Sequence, residues 1–377
     1  MNNTERHINI VSFDIPYPPD YGGVIDVFFK IKALSEIGVR VHLHCFQYGR
    51  DFSPELEALC EDVTYYRRRG FFSSLFFSEP HIVSSRRSVP LLRNLLKNDY
   101  PVLFEGLHTT FYLQHPKLSQ RLRIVRMHNI EFIYYMHLAK VEKKLLKRLY
   151  FKKESAKLKK YQKILQSASM IAAISPFENR IMQLKYGNSF YLPVFHSSET
   201  LCSRPGSGDF ILYHGNLGIG ENNEAALFLV REVFSKISHK VVIAGSNPSV
   251  MLQKLCAYYS NIELVKPAND EIYRLIEDAH INILPTFQNT GIKLKLLNAL
   301  FRGRFCIVNS KMVKDTGMEH LCIIAERGDE FVEAINKCFN MEFNSELISI
   351  RKDTLEKDFN NKSNARLLCS KFFDTTS

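Results

Sequence analysis

The chain has 377 residues, of which 45% are hydrophobic, and this length suits two domains better than one core. It has no run of roughly 18 apolar residues, as a membrane-spanning helix needs, and its start lacks a signal peptide's apolar stretch, so we expect a cytoplasmic protein. The formal net charge of +11 lies in residues 1–200, which carry 29 Lys and Arg against 18 Asp and Glu, because residues 201–377 carry 21 of each.

The first elements are predicted to be a strand, a glycine-containing loop, a helix and a second strand. Apolar patterns predict strands at 7–12 and 39–46, with a helix at 24–37 between them. The loop before the helix ends in Gly22 and Gly23, and its prolines exclude regular structure. This order is typical of the parallel βαβ unit of a doubly wound fold.

The segment Arg67–Arg87 combines basic and aromatic side chains. Three arginines at 67–69 precede four phenylalanines and a leucine within 71–77. This composition is typical of an anchor at an anionic membrane surface, although a buried aromatic helix with solvated arginines at its end would share it. Because the basic excess lies in this half and the chain has no nucleic-acid recognition motif, we expect a membrane partner and no nucleic acid.

Polar residues follow two later strands, predicted at 101–104 and 123–127. Ligands of doubly wound sheets bind beyond the carboxyl ends of the strands, so both endings are candidate sites. At the second ending, His128 could instead be satisfied internally, and Glu131, as an acid in the first turn of the next helix, would be stabilising there anyway. The polar residues at these endings are Glu105, His108, His128, Asn129 and Glu131.

The remaining pattern predicts a domain boundary and a second α/β domain. A lysine-rich helix at 140–166 is followed by a strand at 170–174 and a helix capped by Ser175 and Pro176. A stretch rich in Pro, Ser and Gly then separates domain 1–200 from domain 201–350. The second domain repeats the alternation, with strands at 210–213, 240–244, 281–284 and 305–308 and helices at 223–235 and 329–339. Within 351–377, a helix at 355–373 is predicted to return to the first domain.

The segment 285–303 contains a loop, a glycine, two lysines and a helix. Its leucines recur at helical spacing, and Gly291 allows a close backbone approach where the helix begins. Free amides, the positive end of the helix dipole and the charges of Lys293 and Lys295 would face the same spot. Asn298 lies nearly two turns later on the same side. The segment therefore predicts a diphosphate site.

Five motifs occur in a characteristic order along the chain. They are Pro19-x-x-Gly22-Gly23, His128-Asn129-x-Glu131, Ala173-Ile-Ser-Pro176, His214-Gly215-Asn216 and Gly291-x-Lys293-x-Lys295-x-Leu-x-Ala-Leu300. Together they resemble glycosyltransferases of the GT-B fold, most closely the family 4-like retaining enzymes that build bacterial surface polysaccharides. The resemblance covers nearly the whole chain.

The resemblance implies an α/β, GT-B architecture of two doubly wound, Rossmann-like domains that face each other across a cleft. It also implies sugar transfer from a UDP- or GDP-sugar to a lipid-linked or glycan acceptor at the inner face of the cell membrane. Retention would follow from same-face attack in which the departing phosphate accepts the acceptor's proton. No metal and no cofactor besides the co-substrate is implied, and the chain has no Asp-x-Asp motif.

The resemblance also assigns roles to individual residues. His128 would contact the donor sugar, and Lys293 and Lys295 would stabilise the charge on the departing phosphate. Asn216 and Asn222 equally suit turn and capping roles. The donor-binding residues would be Gly22, Gly23, Gly215, Asn216, Asn222, Thr290, Gly291 and Asn298. The acceptor-binding residues would be Glu105, His108, Asn129 and Glu131, of which the last could instead orient His128.

The chain departs from the family at the donor site. Two glutamates seven residues apart are usual in the segment 285–303, but Gly291 and Asn298 occupy these positions. The basic residues that usually follow the second domain's first strand are absent from 215–226. Neutralisation of the phosphates therefore depends on Lys293 and Lys295. The alternative function is a non-catalytic protein that binds a nucleotide sugar or a partner in a polysaccharide assembly pathway.

Overall fold

The computed structural model of the chain describes residues 5–70, 78–142, 144–287 and 294–374. These residues divide into two units. The first contains 5–197 and 359–374, and the second contains the described residues of 198–358. Each unit has its own parallel sheet with helices between its strands, so the predicted alternation of strands and helices is confirmed in both halves of the chain.

A seven-stranded parallel sheet forms the centre of the first unit. Its strands are β1 (Arg6–Ser12), β2 (Val39–Gln47), β3 (Asp62–Arg67), β4 (Val102–Glu105), β5 (Arg123–Met127), β6 (Met170–Ala173) and β7 (Ser189–Tyr191). Their order is β3-β2-β1-β4-β5-β6-β7. Strand addition therefore reverses direction between β1 and β4, and such a reversal leaves a ligand crevice beyond the strand ends.

Helices cover both faces of this sheet. They are α1 (Gly22–Glu36), α2 (Pro54–Leu59), α3 (His81–Ser84), α4 (Val89–Leu95), α5 (Glu131–Val141), α6 (Leu145–Tyr161) and α7 (Pro176–Tyr186). On one face, Ile8 and Ile10 belong to the same buried cluster as Val24 and Val27 of α1. Val11 belongs to the cluster on the other face, as the two-residue period of a strand requires.

The second unit repeats this arrangement with six parallel strands. They are β8 (Phe210–His214), β9 (Lys240–Ala244), β10 (Ile262–Val265), β11 (Ile281–Ile283), β12 (Phe305–Val308) and β13 (Ile323–Ile324), in the order β10-β9-β8-β11-β12-β13. The helices between and after them are α8 (Gly220–Glu232), α9 (Val250–Tyr258), α10 (Asn269–Asp278), α11 (Leu294–Arg302), α12 (Ser310–Val313) and α13 (Gly328–Phe339). The strand order reverses between β8 and β11.

Two of the predicted long helices are wrong. The helix predicted at 140–166 begins too early and ends too late, because α5 ends at Val141, Glu142 and Lys144 adopt extended backbone conformations, and α6 spans only Leu145–Tyr161. The helix predicted at 355–373 is α14 (Ser345–Asp358) and α15 (Asn361–Phe373), and Asn360 caps the second of these by accepting from the Ser363 amide. No helix among the described residues is both long and apolar enough to cross a membrane.

The C-terminal helix α15 belongs to the first unit. Its Ala365, Leu368 and Phe372 lie in the hydrophobic cluster that contains α1. At its start, the Asn361 amide group donates to the His196 carbonyl at 2.8 Å, and its oxygen accepts from the His196 amide at 3.2 Å. These bonds hold the end of the chain against the segment after β7.

A buried ion cluster connects α1, β4, β5 and the segment after β7. Asp26 accepts from the Lys30 ammonium at 2.9 Å and from two nitrogens of the Arg126 guanidinium at 2.9 and 3.1 Å. Lys30 also donates to Glu105 at 2.7 Å, and the Phe195 amide donates to Asp26 at 2.8 Å. Burial alone raises the pKa of Asp26, but the two cations outweigh it and hold this pKa well below its usual range.

Removing one charge from this cluster should strongly destabilise the first unit. We expect Asp26→Asn to lower the free energy of unfolding by about 3–5 kcal/mol, because it leaves buried Arg126 without its counter-charge. Urea unfolding followed by circular dichroism measures this change.

Glu36→Gln on the same helix is the matched control. Glu36 pairs with Lys362 at 3.3 Å where both side chains are partly exposed, so this variant should change stability by about 0.5 kcal/mol or less. Equal stabilities for the two variants would contradict the importance of the buried cluster.

Candidate functional site

In the first unit, the residues that follow the central strands come together at the sheet's reversal point. Phe13 follows β1, Glu105 ends β4 and His128 follows β5. The imidazole of His128 lies edge-on to the Phe13 ring, with centroids 5.4 Å apart, and its Nε2 is 2.8 Å from Oε2 of Glu105. Because a carboxylate only accepts, Nε2 carries the hydrogen of this bond and the ring is held in one orientation.

Glu105 occupies an interior position rather than the acceptor-facing one that we expected. Its side chain is fully buried, and its two oxygens accept from Lys30 and His128. Burial raises the pKa of Glu105, but Lys30 and His128 outweigh burial and lower this pKa overall. The geometry is that of a group that positions His128.

His108 and Glu131 lie beside each other near this group. Nδ1 of His108 is 4.0 Å from Oε1 of Glu131, and the His108 ring packs on Phe13 with centroids 5.4 Å apart. Glu131 is the first residue of α5 and is buried. Burial and the Glu178 carboxylate raise the pKa of Glu131 to about 8, although Arg86 opposes the rise. Glu131 is therefore mainly a neutral acid at pH 7, in contact with His108.

The other residues predicted near this edge have distinct positions. Gly22 and Gly23 form the first turn of α1, where backbone amides lack helical partners. A Cβ on Gly23 would come within 2.6 Å of the Phe13 ring, so glycine is required for this packing. Asn129 is half-buried between β5 and α5. The structure thus brings Gly23, Phe13 and His128 together.

The basic segment of the first unit is only partly exposed. Residues 71–77 lie outside the described residues, and Arg86 is buried, with its guanidinium donating to the carbonyls of Phe13 and Ile82. Burial lowers the pKa of Arg86 to about 9. Arg86 therefore supports the interior of the site and does not supply a membrane-facing charge.

In the second unit, the loop after β8 passes very close to the loop after β9. A Cβ on Gly245 would lie 2.0 Å from the Gly215 carbonyl oxygen, and one on Gly215 would lie 3.2 Å from the Asn222 side chain. These contacts explain why glycine follows both strands. They hold the backbone of the first loop beside the start of α8.

The two predicted asparagines connect this loop to α11. Asn216 Oδ1 accepts from the Gly218 amide at 3.0 Å, as in a typical asparagine turn. Asn222 donates to the Asn216 carbonyl at 3.0 Å and accepts from the Lys295 ammonium at 3.1 Å. Both asparagines thus have structural roles, and Asn222 also places a lysine charge at the strand ends.

Lys295 lies beside aromatic and imidazole groups of β8. Its ammonium is 5.5 Å from the centre of the Tyr213 ring. Burial and then the Lys295 charge lower the pKa of His214 to about 3, so this histidine is neutral at physiological pH. Asn298, one turn after Lys295 on α11, is half-buried. Two further predicted donor-binding residues, Thr290 and Gly291, and the predicted catalytic Lys293 lie outside the described residues.

Several polar residues at these sites were not identified from the sequence. In the second unit, the Thr286 hydroxyl donates to Glu221, and Asn309 exchanges two hydrogen bonds with the Thr286 backbone. Both Thr286 and Asn309 follow strands, which was an available signal. In the first unit, Asp26 and Lys30 stand four apart on the apolar face of α1, a spacing that predicts an ion pair.

Asp26, Glu105 and His128 have the ligand types of a metal site. Their nearest ligand atoms lie within 4.8 Å of one another. The ammonium of Lys30, however, donates to both carboxylates and occupies the position between them. The described residues of this group therefore fit an internal ion cluster better than a metal site.

Two sequence comparisons give matches to this chain. Residues 208–341 match the family model described as glycosyl transferases group 1. An uncharacterized 44.6 kDa protein in the cps region of Klebsiella pneumoniae is 27% identical over 339 residues, which cover 83% of this chain and 85% of the relative.

Solved structures resemble both units together. TarM of S. aureus, a mutant in complex with Fondaparinux, alpha-GlcNAc-glycerol and UDP, has a TM-score of 0.66 at 10% identity and covers 98% of this chain and 100% of its own. Anabaena HepE in complex with UDP and glucose has a TM-score of 0.59 at 11% identity, with 98% and 95% covered. At these identities the likeness shows the fold, which is GT-B. The family match and this fold together support a glycosyltransferase.

Proposed function

We propose that the chain transfers a sugar from a nucleotide diphosphate sugar to a lipid-linked or glycan acceptor in the synthesis of a bacterial surface polysaccharide. The glycosyl transferase match over 208–341 and the GT-B fold support the reaction class. The relative in a cps region supports the polysaccharide context. The UDP in the TarM and HepE structures supports a nucleotide-linked donor, UDP or GDP, for this chain.

The position of Lys295 carries this proposal. Breaking the bond between the anomeric carbon and the diphosphate leaves negative charge on the β-phosphate, and this charge must be stabilised in the transition state. Lys295 lies at the strand ends of the second unit, held by Asn222 and close to the loop after β8. The N-terminus of α8 adds backbone amides on the same side of the sheet. We assign Lys295 to the departing phosphate and Gly215, Asn216 and Asn222 to the donor.

His128 has the corresponding role in the first unit. Its ring is oriented by Glu105 and packed against Phe13, which suits a histidine that hydrogen-bonds a donor-sugar hydroxyl. We further propose retention, of the family 4-like type, with the departing phosphate accepting the acceptor's proton. This mechanism requires no carboxylate base, and it fits the burial of Glu105 beneath His128.

Glu131 has a separate role in this proposal. A neutral carboxylic acid both donates and accepts hydrogen bonds, so Glu131 can pair with an acceptor hydroxyl without a charge in its buried setting. The pKa of its neighbour His108 is instead lowered, first by burial and then by Arg86, so this histidine is neutral near pH 7. This pair offers an uncharged polar surface to an acceptor.

Exposed apolar and basic side chains lie together at the start of α6. Three leucines of α6 are exposed on adjacent turns: Leu145, Leu146 and Leu149. Exposed cations surround them: Lys144, Lys147, Arg148, Lys152 and Lys153. Apolar side chains flanked by lysine and arginine are typical of surfaces that bind anionic lipid headgroups. We therefore propose peripheral attachment through this leucine patch, at the membrane face where a lipid-linked acceptor is found.

Loss of the Lys295 charge should abolish most sugar transfer. We expect Lys295→Met to reduce turnover of a UDP- or GDP-sugar panel, with a polyprenyl-linked acceptor, by about 10²–10³-fold, because the departing phosphate loses its cation. Release of the nucleotide, measured by chromatography, reports the reaction.

Lys254→Met, which removes an exposed lysine of α9, is the matched control and should retain full turnover. Equal turnover of the Lys295 variant and the control would refute the proposed role. A wild-type chain that binds a nucleotide sugar but turns over none of the panel would favour the non-catalytic alternative.

Stability should depend on pH through Glu131. Its pKa is about 8 in the folded chain, above the ordinary value of 4.5, so its contribution to stability is present below about pH 4.5 and is lost as the pH rises towards 8. We expect Glu131→Gln to remove this loss. Relative to wild type, the variant should therefore gain on the order of 2–5 kcal/mol between pH 4.5 and 8.5. Urea unfolding across this pH range tests the prediction. If the difference in free energy of unfolding between the variant and wild type stays constant with pH, Glu131 is ionised in the folded chain.

Serine in place of all three leucines should weaken membrane binding. Wild type should sediment with vesicles containing phosphatidylglycerol, and less so at high salt, because surface charges are then screened. The triple variant should bind at least about 10-fold more weakly, since each leucine buried in lipid contributes about 1.5 kcal/mol or more. Leu184→Ser, at an exposed leucine of α7, is the control. Equal sedimentation of all three proteins would rule out this surface.

A further inference from the structure

A cavity of about 610 Å³ lies at the carboxyl edge of the first sheet, between the loops that follow β1 and β2. Phe13, which begins the loop after β1, belongs to the candidate site described above, but none of the residues that line this cavity does. Residues 14–21 line one side and residues 48–55 line the other. Its volume is in the range of small-molecule sites, about 300–1,000 Å³.

Three aromatic rings of this pocket are exposed. The relative exposure is 43% for Tyr21, 63% for Tyr48 and 62% for Phe52. Large aromatic side chains are usually well buried, and a group of exposed ones at a concave surface is a common mark of a binding site. Because all three rings line one cavity, we interpret their exposure as a sign of a ligand-binding site.

Each exposed ring is held by a neighbour. The Tyr21 hydroxyl donates to Asp14 at 2.9 Å, and the Arg50 guanidinium lies 5.1 Å from the ring centre. Arg68 lies 4.2 Å from the centre of the Tyr48 ring, and Phe52 stacks on Tyr65 with centroids 4.4 Å apart. Rings that are already immobilised lose little conformational entropy when a ligand packs on them.

The polar side chains of the pocket are mainly carboxylates. The lining contains Asp14, Asp20, Asp51 and Glu55 but one cation, Arg50. Arg50 already donates to Asp20 and to the Pro18 carbonyl at 2.6 Å. An excess of carboxylates favours ligands that donate hydrogen bonds and repels anions. The pocket is thus acidic, although residues 1–200 have a basic excess.

A pyranose ring matches both features. Its C–H faces pack on aromatic faces, which carry partial negative charge, and its hydroxyl groups donate to carboxylates around its edge. A nucleotide base would also stack on these rings, but its phosphates would then lie among the carboxylates. The same repulsion applies to the diphosphate of a lipid-linked acceptor and to a uronic acid.

We propose that this pocket, lined by residues 14–21 and 48–55, binds an uncharged pyranose unit of the glycan acceptor and excludes acidic sugars. This inference rests on the proposed sugar transfer and adds the substrate class to it. The pocket then determines which sugar the enzyme extends from, whereas Lys295 and His128 act on the donor. Tyr48 and Phe52 are its stacking platforms, and the carboxylates select against charge.

The absence of tryptophan from the sequence provides a direct test. Tyr48→Trp introduces a unique fluorophore that keeps an aromatic face against Arg68. This variant is titrated with neutral methyl pyranosides of glucose, galactose, mannose and N-acetylglucosamine, and with methyl glucuronide. We expect a saturable fluorescence change with at least one neutral sugar and at least 10-fold weaker binding of the glucuronide than of the glucoside.

Two further variants serve as controls. Tyr258→Trp places the fluorophore at an 81% exposed position of the second unit and should show no saturable change. Phe52→Ala in the Tyr48→Trp background should weaken sugar binding at least five-fold while its melting temperature stays unchanged, since Phe52 is largely exposed.

The inference is overturned if no neutral sugar gives a saturable change, if the glucuronide binds as tightly as the glucoside, or if Tyr258→Trp responds equally. These readouts require no turnover, so they are independent of the transfer reaction. Sugar transfer without binding in this pocket would refute the acceptor subsite alone. Binding in the pocket without turnover of any donor would refute the proposed function instead.

Discussion

The buried cluster of Asp26, Lys30, Glu105, Arg126 and His128 is the constraint on which the first unit depends. It joins a helix and two strands through buried ion pairs and hydrogen bonds, and the Phe195 amide joins the segment after β7 to Asp26. Burying one ion alone would cost several kcal/mol, so each member is stable only while the others stay in place. The cluster ends in His128, at the edge where ligands of such sheets bind. The cluster that stabilises the first unit therefore includes His128, a residue of the candidate active site.

The second unit positions its candidate site in a different way. Here close backbone packing at Gly215 and Gly245 shapes the loops, and neutral asparagines connect them to Lys295. Asn222 accepts from the Lys295 ammonium through an amide oxygen, which carries no formal charge. This arrangement suits a site that must attract a diphosphate.

Charge is distributed locally in ways that the net value conceals. The first half of the chain is basic, yet Arg86 lies in its interior and the pocket between the β1 and β2 loops is acidic. Exposed cations also lie around the exposed leucines of α6. We infer that attraction to an anionic surface and recognition of an uncharged sugar are separate properties of one unit.

The sequence by itself determined the strand and helix order, because apolar runs and glycine loops depend on local chemistry. Strands β5, β9 and β12 have the predicted bounds, and the polar endings after β4 and β5 were correctly placed. The sequence did not reveal the helix breaks at Glu142 and Asn360. At both residues the backbone is extended, although the spacing of the apolar residues around them predicts a continuous helix. The pairing of Asn222 with Lys295 joins residues 73 positions apart, which no periodicity reveals.

Only the tertiary structure decided which polar residues face inward. Glu105 and His128 look equivalent in sequence, because each lies at the end of a strand. In the structure Glu105 is fully buried and accepts from Lys30 and His128, whereas His128 lies at the sheet edge beside Phe13. The raised pKa of Glu131 likewise depends on burial and on Glu178, which lies far along the chain. Hydrophobic patterning is a property of neighbours in sequence, whereas electrostatic environment is a property of neighbours in space, and the function of a charged group depends on the latter.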